Sequence, residues 1–489
     1  MIPTKTSPCG LLGYFLAPLL VTLGLATPAL AAKPHSPNVA THSSPSLQAL
    51  MARHHLKPHN VAILIRDGSN GQVVFQRNAN QRMLPASTEK LVTTIAALNI
   101  NGADYRWHTS LNSSGPIVNH TLMGDLWLQG GNDPYLTHEQ LNALAQLLKQ
   151  SGVERIQGSL RVDRSLVQVA DQDPNEFDGE GARAYNQLAD AFMVDFGLLT
   201  VHVSVTNGHP ASLQTSVDAA PHLPVDTAYL KIIPGTCVPG NEAIRVEGVS
   251  HEPYLKLIGS IHQGCDDVRL TGAWLPRHQQ ALWLWMEALK ANNIAYDQLG
   301  GDGQAPPQQL VHLDSPPLLE VIAATNRFSN NVMARQIFLS LGDTENQRPL
   351  TVERSRLVLA RWLNQEHLCA NTQVDNGSGL SRLSRLTVQC LNDLLWHEHL
   401  KAHEELFKNT LATPTAEGTL KHRLAPLINH AWLKTGHLNG VDGIAGWIED
   451  LDGHVYIVSL LINGNDLDRV STDAFVDQVL LLWTQQHRL

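Results

Sequence analysis

The sequence predicts a multidomain α+β protein: a five-stranded antiparallel sheet flanked by helices, interrupted after its first helix by a large β-rich insertion. Three observations carry this expectation. A β-hairpin pattern followed by a helix lies toward the N-terminal end, and a three-strand meander followed by an amphipathic helix lies at the C-terminal end. Between residues 103 and 276 the texture changes to short strands and turns. Two strands from one end and three from the other close one sheet only if the middle of the chain is inserted. A length of 489 residues also calls for two or three domains rather than one core.

In chain order, residues 1–31 read as a cleavable signal peptide: Lys5, a largely apolar Leu11–Leu25, then the small-x-small site Ala29-Leu30-Ala31. The apolar run is short for a spanning helix; an uncleaved anchor is the alternative, and Cys9 lacks a lipoprotein context. Residues 32–46 read as a flexible leader and Leu47–His54 as a short helix. Val61–Arg66 and Gln72–Arg77 form a hairpin through Gly68-Ser69-Asn70-Gly71, and a helix runs from Ser87 to about Leu98. In the insertion, Leu122–Leu128 reads as a strand, His138–Ser151 as a helix and Gly158–Asp163 as a strand, a set divisible into two sub-domains. Helices Leu282–Asn293, Pro317–Asn326 and Val332–Leu341 mark the return, so 47–102 and 277–489 are read as one domain around an inserted 103–276. Trp432–Leu438, Gly443–Asp450 and His454–Ile462 then make the meander. Ser471–His487 sets Phe475, Val476, Val479, Leu480 and Trp483 on one helical face, which reads as packing on the sheet rather than on a membrane.

Composition narrows the functional classes. With 43% hydrophobic and 16% charged residues the chain can bury a sizeable core. Its net charge of −10, or −11 without residues 1–31, argues against nucleic acid as a partner and gives no support to a polybasic membrane contact. Beyond Cys9 there are four cysteines. Pairing within each neighbourhood, Cys237 with Cys265 and Cys369 with Cys390, is the simplest of three connectivities. No CxxC is present, which makes a zinc or redox site an unfavoured reading. His399 and His403, four apart on a helix with His397 and Glu404 nearby, could hold a metal, but no HExxH accompanies them.

Three short motifs carry the chemistry. Ser87 and Lys90 in Pro85-Ala86-Ser87-Thr88-Glu89-Lys90 lie three apart at a helix start, hence on one face. A serine hydroxyl needs an adjacent base, and a lysine serves if desolvation or another cation lowers its pKa. Ser329-Asn330-Asn331, between two helices, offers a hydroxyl to relay a proton and an amide to hold a carbonyl or the lysine. Lys434-Thr435-Gly436 places a cation and a hydroxyl on an edge strand, where the glycine admits a substrate backbone and the His437 N–H can join that of Ser87 as an oxyanion hole. Taken singly, each motif has a bland reading as a capping residue or a common tripeptide.

Together, in this order and context, they resemble the motif set of penicillin-binding proteins and serine β-lactamases. The long interval from Ser87 to Ser329 resembles low-molecular-mass class C penicillin-binding proteins, the D-alanyl-D-alanine carboxypeptidase/endopeptidase family. So do Gly124–Leu128 with Gly130-Gly131-Asn132-Asp133-Pro134, the loop Asp375–Arg382, and Lys434–Trp447. Three departures stand out: an extra Asn376 in the loop motif, Asn132 for a glycine, and His437 for a small hydroxyl residue.

The resemblance implies a penicillin-binding/β-lactamase-like transpeptidase domain and a serine DD-peptidase acting on peptidoglycan peptides, with β-lactams as covalent inhibitors and no metal or organic cofactor. It implies Ser87 as nucleophile, Lys90 as base, Ser329, Asn331 and Lys434 as the remaining catalytic set, and Thr435, Gly436 and His437 along the substrate. Arg382, Asn439 and an acid from the insertion, taken as Asp178, would recognise a diamino-acid side chain. With the export signal it implies a periplasmic protein with at most peripheral membrane contact. A β-lactamase, or a catalytically silent peptidoglycan- or β-lactam-binding protein, is the competing reading.

Overall fold

Val61–Asp67 is apolar and buried along nearly its whole length because it sits inside a sheet covered on both faces. Its side chains alternate between two cores: Ala62 and Leu64 face one, Val61, Ile63 and Ile65 the other. In this computed structural model, which describes residues 45–168, 173–206, 211–237, 243–249, 253–345, 348–487 and 489, the sheet has five strands. Their order is Ala431–Leu438, Val441–Glu449, Val455–Asn463, Val61–Asp67 and Val73–Arg77, antiparallel throughout. Val61 pairs with Ile462 and Asp67 with Tyr456, so the two ends of the chain meet at the sheet's centre.

The helix Glu89–Asn101 buries Leu91, Val92 and Ile95 against the first face, together with the helices Leu318–Phe328, Asn331–Ser340, Val352–Gln365 and Val388–His399. The second face is closed by Pro45–Arg53 and by Arg469–Gln486, whose Phe475, Val476, Val479, Leu480 and Trp483 are all buried in that core. The apolar stripe read from the sequence therefore packs on the sheet. None of the described helices is long and apolar enough to cross a membrane.

The insertion has its own core. A seven-stranded sheet is built around Arg155–Asp163 and covered by the helices His138–Gln150 and Arg277–Ala291; two three-stranded sheets complete the module. The expected single strand Leu122–Leu128 is broken into Thr121–Leu122 and Leu126–Gln129. Both halves run parallel to Arg155–Asp163 in one continuous register. The break falls at Asp125, whose carboxylate takes the Ser159 N–H (2.8 Å) and the Arg161 guanidinium (2.6 Å).

The expected return at residue 277 also differs. Arg277–Ala291 packs into the insertion's core, Ala295–Asp302 pairs with Arg155–Asp163, and Gln309–Asp314 pairs with His108–Ser113. An amphipathic pattern names a buried face but not what covers it. On this pairing we propose an insertion running from about residue 103 to about residue 315.

Both neighbourhood disulfides are present, Cys237–Cys265 and Cys369–Cys390. The signal segment and the leader up to residue 44 lie outside the described residues.

Candidate active site

Ser87 stands in a single tight turn, Ala86–Thr88, that runs straight into the helix Glu89–Asn101. One turn on, Lys90 is fully buried. Its Nζ donates to Ser87 Oγ at 2.9 Å, to Asn331 Oδ1 at 2.6 Å and to the Ser378 carbonyl at 2.6 Å.

Ser329 ends the helix Leu318–Phe328 in the left-handed region (φ +57°), which turns its side chain out of the helix line. Asn330, not Ser329, is the cap of the next helix: its side chain accepts from the Met333 N–H at 3.1 Å. Ser329 and Asn331 are thus free for the two lysines. Lys434, on the edge strand, is also fully buried and donates to Ser329 Oγ at 2.9 Å and to the Thr435 carbonyl at 2.8 Å. At Gly436 a Cβ would lie 2.9 Å from the backbone nitrogens of Ser87 and Thr88, so only glycine lets this strand lie against the Ser87 turn. The three motifs meet.

Burial tunes both lysines, and neighbouring cations add to it at Lys90. Desolvation pushes Lys90 well below the usual lysine range, and the neighbouring Lys434 and Arg335 push it further; Glu89 opposes them. Burial alone brings Lys434 down to about 7. A lysine of lowered proton affinity 2.9 Å from a serine hydroxyl at a helix N-terminus is what nucleophile activation requires.

The D-Ala-D-Ala carboxypeptidase 3 (S13) family matches residues 44–485, nearly the whole described chain. The chain belongs to that family. It is 25% identical over 427 residues to the D-alanyl-D-alanine carboxypeptidase DacB of Haemophilus influenzae, covering 83% of this chain and 85% of the relative. It is likewise 25% identical over 425 residues to a D-alanyl-D-alanine carboxypeptidase of Actinomadura sp. strain R39, covering 82% and 77%. The crystal structure of penicillin-binding protein 4 from H. influenzae superposes with a TM-score of 0.75 at 22% identity, over 90% of this chain and 100% of that one. The fold is therefore that of a low-molecular-mass class C penicillin-binding protein.

Against that S13 frame, the residues expected to recognise substrate are partly gathered. Arg382 donates to the Asn439 carbonyl at 2.9 Å, and its guanidinium lies 5.5 Å from the centre of the Phe177 ring, next to Asp178 in the chain. Arg382 and Asn439 line one end of an open groove of about 780 Å³. The exposed Asp178 carboxylate is occupied by its own segment, accepting from Tyr185 OH (2.9 Å) and Asn186 (2.7 Å). Thr435 is half-buried on the edge strand. The His437 ring turns to Asp442 (2.8 Å), which also holds the Thr472 hydroxyl of the C-terminal helix; this is the face opposite Gly436 and Ser87. The two other departures have structural duties. Asn376 accepts from the Ser378 N–H (3.0 Å) and hydroxyl (2.7 Å) and donates to the Leu380 carbonyl (3.0 Å). Asn132, at φ +60°, donates to the Gln336 carbonyl (3.0 Å) and to Ser340 (3.1 Å), tying the insertion to the Asn331 helix.

Several participants went unread in the sequence. Arg335 is buried and bound by the carbonyls of Tyr185 and Gln187, and the Tyr185 carbonyl also takes Asn331 Nδ2 at 3.1 Å. The signal was an arginine within the apolar run Val332–Phe338. Glu89 and the Ser378 carbonyl had no signal beyond adjacency to the motifs. His399 and His403, weighed as metal ligands, pair with Glu404 and Glu398 and do not converge among the described residues.

Proposed function

We propose that this protein is a serine DD-peptidase that cleaves D-alanyl peptide bonds of peptidoglycan, as a carboxypeptidase on stem peptides and as an endopeptidase on cross-links, in the periplasm. The observation that carries the reading is the doubled lysine–serine pairing, Lys90 with Ser87 and Lys434 with Ser329, with Asn331 also accepting from Lys90 and both lysines fully buried.

Ser87 Oγ attacks the carbonyl carbon of the bond between two D-alanines, or between D-alanine and a diamino acid, while its proton passes to neutral Lys90. The Ser87 and His437 N–H groups stabilise the oxyanion. Ser329, held by Lys434, relays a proton to the leaving amine as the C–N bond breaks. Thr435 and Lys434 hold the terminal carboxylate, and water then releases the acyl group and regenerates Ser87. β-Lactams, whose strained amide imitates the scissile bond, acylate the same oxygen. The chemistry calls on no metal or organic cofactor. Arg382 and Asn439 meet the carboxylate-bearing end of a diamino-acid side chain, with Asp178 as the acid opposite.

A fluorescent penicillin labels the wild type and not Ser87→Ala under this reading. A D-Ala-D-Ala pentapeptide and cross-linked muropeptides are both cut, and Ser87→Ala loses both activities. Cleavage retained by Ser87→Ala overturns the assignment. Rapid deacylation of penicillin with no peptide cleavage assigns a β-lactamase instead, and labelling without any turnover assigns a silent binding protein.

A further inference from the structure

Glu89 sits between Ser87 and Lys90 in the chain and is fully buried, though the mechanism above does not use it. Its Oε1 accepts the Gly379 N–H at 3.2 Å, and the Ser384 hydroxyl stands close enough to the carboxyl to favour its charged form. The carbonyl of that same peptide unit, on Ser378, is the group that accepts from Lys90 Nζ at 2.6 Å. One planar peptide therefore bridges the Glu89 carboxyl and the Lys90 amine, and what polarises one end strengthens or weakens the other. The bridge is set by contact. Gly379 has φ +78°, and a Cβ there would fall 1.9 Å from the Ala86 carbonyl oxygen, so the Ser378–Leu380 turn lies directly on the backbone that presents Ser87.

We propose that Glu89 is a positioning residue for the acyl-transfer site: its carboxyl pins the Ser378–Gly379 peptide onto the nucleophile turn, and its protonation state governs how readily Lys90 releases a proton. The inference rests on the serine-peptidase reading above.

The surrounding charges make the carboxyl a titrating group. On its own helix Lys90 favours the carboxylate. From the facing loop, Asp375, paired with Arg356 at 2.5 Å, disfavours it, while the Ser384 hydroxyl favours it. Beyond Lys90 stand Lys434 on the edge strand and Arg335 on the Asn331 helix. Burial outweighs the rest and raises Glu89 to about 7. Below that pH the acid is neutral and leaves Lys90 free to be neutral; above it the carboxylate, acting across the peptide bridge, favours the ammonium.

The test is the rate of Ser87 acylation by a fluorescent penicillin, measured for the full-length protein between about pH 5 and 9. Glu89→Gln keeps an acceptor for the Gly379 N–H and loses the charge; Glu89→Ala loses both. We expect Glu89→Ala to slow acylation roughly tenfold or more at every pH, and Glu89→Gln to stay within about threefold of wild type at pH 8. Above about pH 7, where the wild-type carboxylate holds the Lys90 ammonium, Glu89→Gln should acylate faster than wild type, and below it the two profiles should converge. The proposal is overturned if Glu89→Ala acylates at the wild-type rate, if Glu89→Gln is as slow as Glu89→Ala, or if the ratio of Glu89→Gln to wild type stays constant across the pH range. Should Glu89→Ala fail to fold, that ratio decides alone. A wild type that takes no penicillin at all would instead sink the serine-peptidase reading.

Discussion

Lys90 and Lys434 are carried out of contact with bulk solvent, and their proton affinities follow from that. Both are fully buried, and both titrate below the ordinary lysine range. Acylation should therefore fall as pH drops and Lys90 takes up a proton, a loss readable from the penicillin-labelling rate. Stability carries an independent signature. Lys434 at about 7 has lost its proton in the fold while the unfolded chain still holds it up to about 10.5, so its contribution rises with pH through that window. The rise is about 1.4 kcal/mol per pH unit. Lys434→Met should remove it, and urea unfolding of the two proteins at neutral and alkaline pH checks this. Glu89 slopes the other way. Its acid is raised from 4.5 to about 7, so the fold holds a proton that the unfolded chain has released, and stability falls as pH rises through that interval. Glu89→Gln should gain on wild type steadily from acid to neutral pH. The lysine, serine and asparagine identities were legible from the motifs. Their burial was not, because a residue three positions from Ser87 in a solvated helix would have had the same sequence.

At the scale of elements, backbone geometry aims the groups. Ser329 leaves its helix through a left-handed residue, and Asn330 takes the capping duty that the sequence alone would have allowed Ser329. The 376–386 segment is fastened by the Met83–Leu386 bridge and by the three Asn376 bonds, and so delivers the Ser378 carbonyl to Lys90. Gly379→Ala should cut acylation by roughly a hundredfold or more, because a positive φ and a clash with Ala86 both oppose it. Penicillin labelling beside a circular-dichroism spectrum separates that from global unfolding. Asn376, an interruption of the family's loop pattern, is here a brace for the loop. The pattern showed where the insertion fell but not which bonds it would make.

For the whole molecule, the cores on the two faces of the five-stranded sheet and the separate core of the insertion share one chain, and Ser87, Ser329 and Lys434 meet in the part assembled from its two ends. The disulfides divide accordingly. Cys237–Cys265 ties strands of the insertion, whereas Cys369–Cys390 anchors the approach to the loop that touches Lys90. Replacing Cys237 and Cys265 with serine should cost about 3 kcal/mol of stability and leave penicillin acylation near wild type. Replacing Cys369 and Cys390 should slow acylation as well. Thermal unfolding and labelling rates on the same samples distinguish the two.

The five-stranded sheet, its two covered faces and the three motifs were readable because each is a local pattern: alternation of apolar residues, turn chemistry, and side chains three apart on a helix. The break at Asp125 and the packing of Arg277–Ala291 into the insertion's core were decided by tertiary structure, since a periodic apolar face does not say which neighbour will cover it. The same holds for the site. Sequence supplied the serines and lysines, but only the packing of distant segments around residues 87, 329, 378 and 434 removed their water, and desolvation is what turns a lysine into a base.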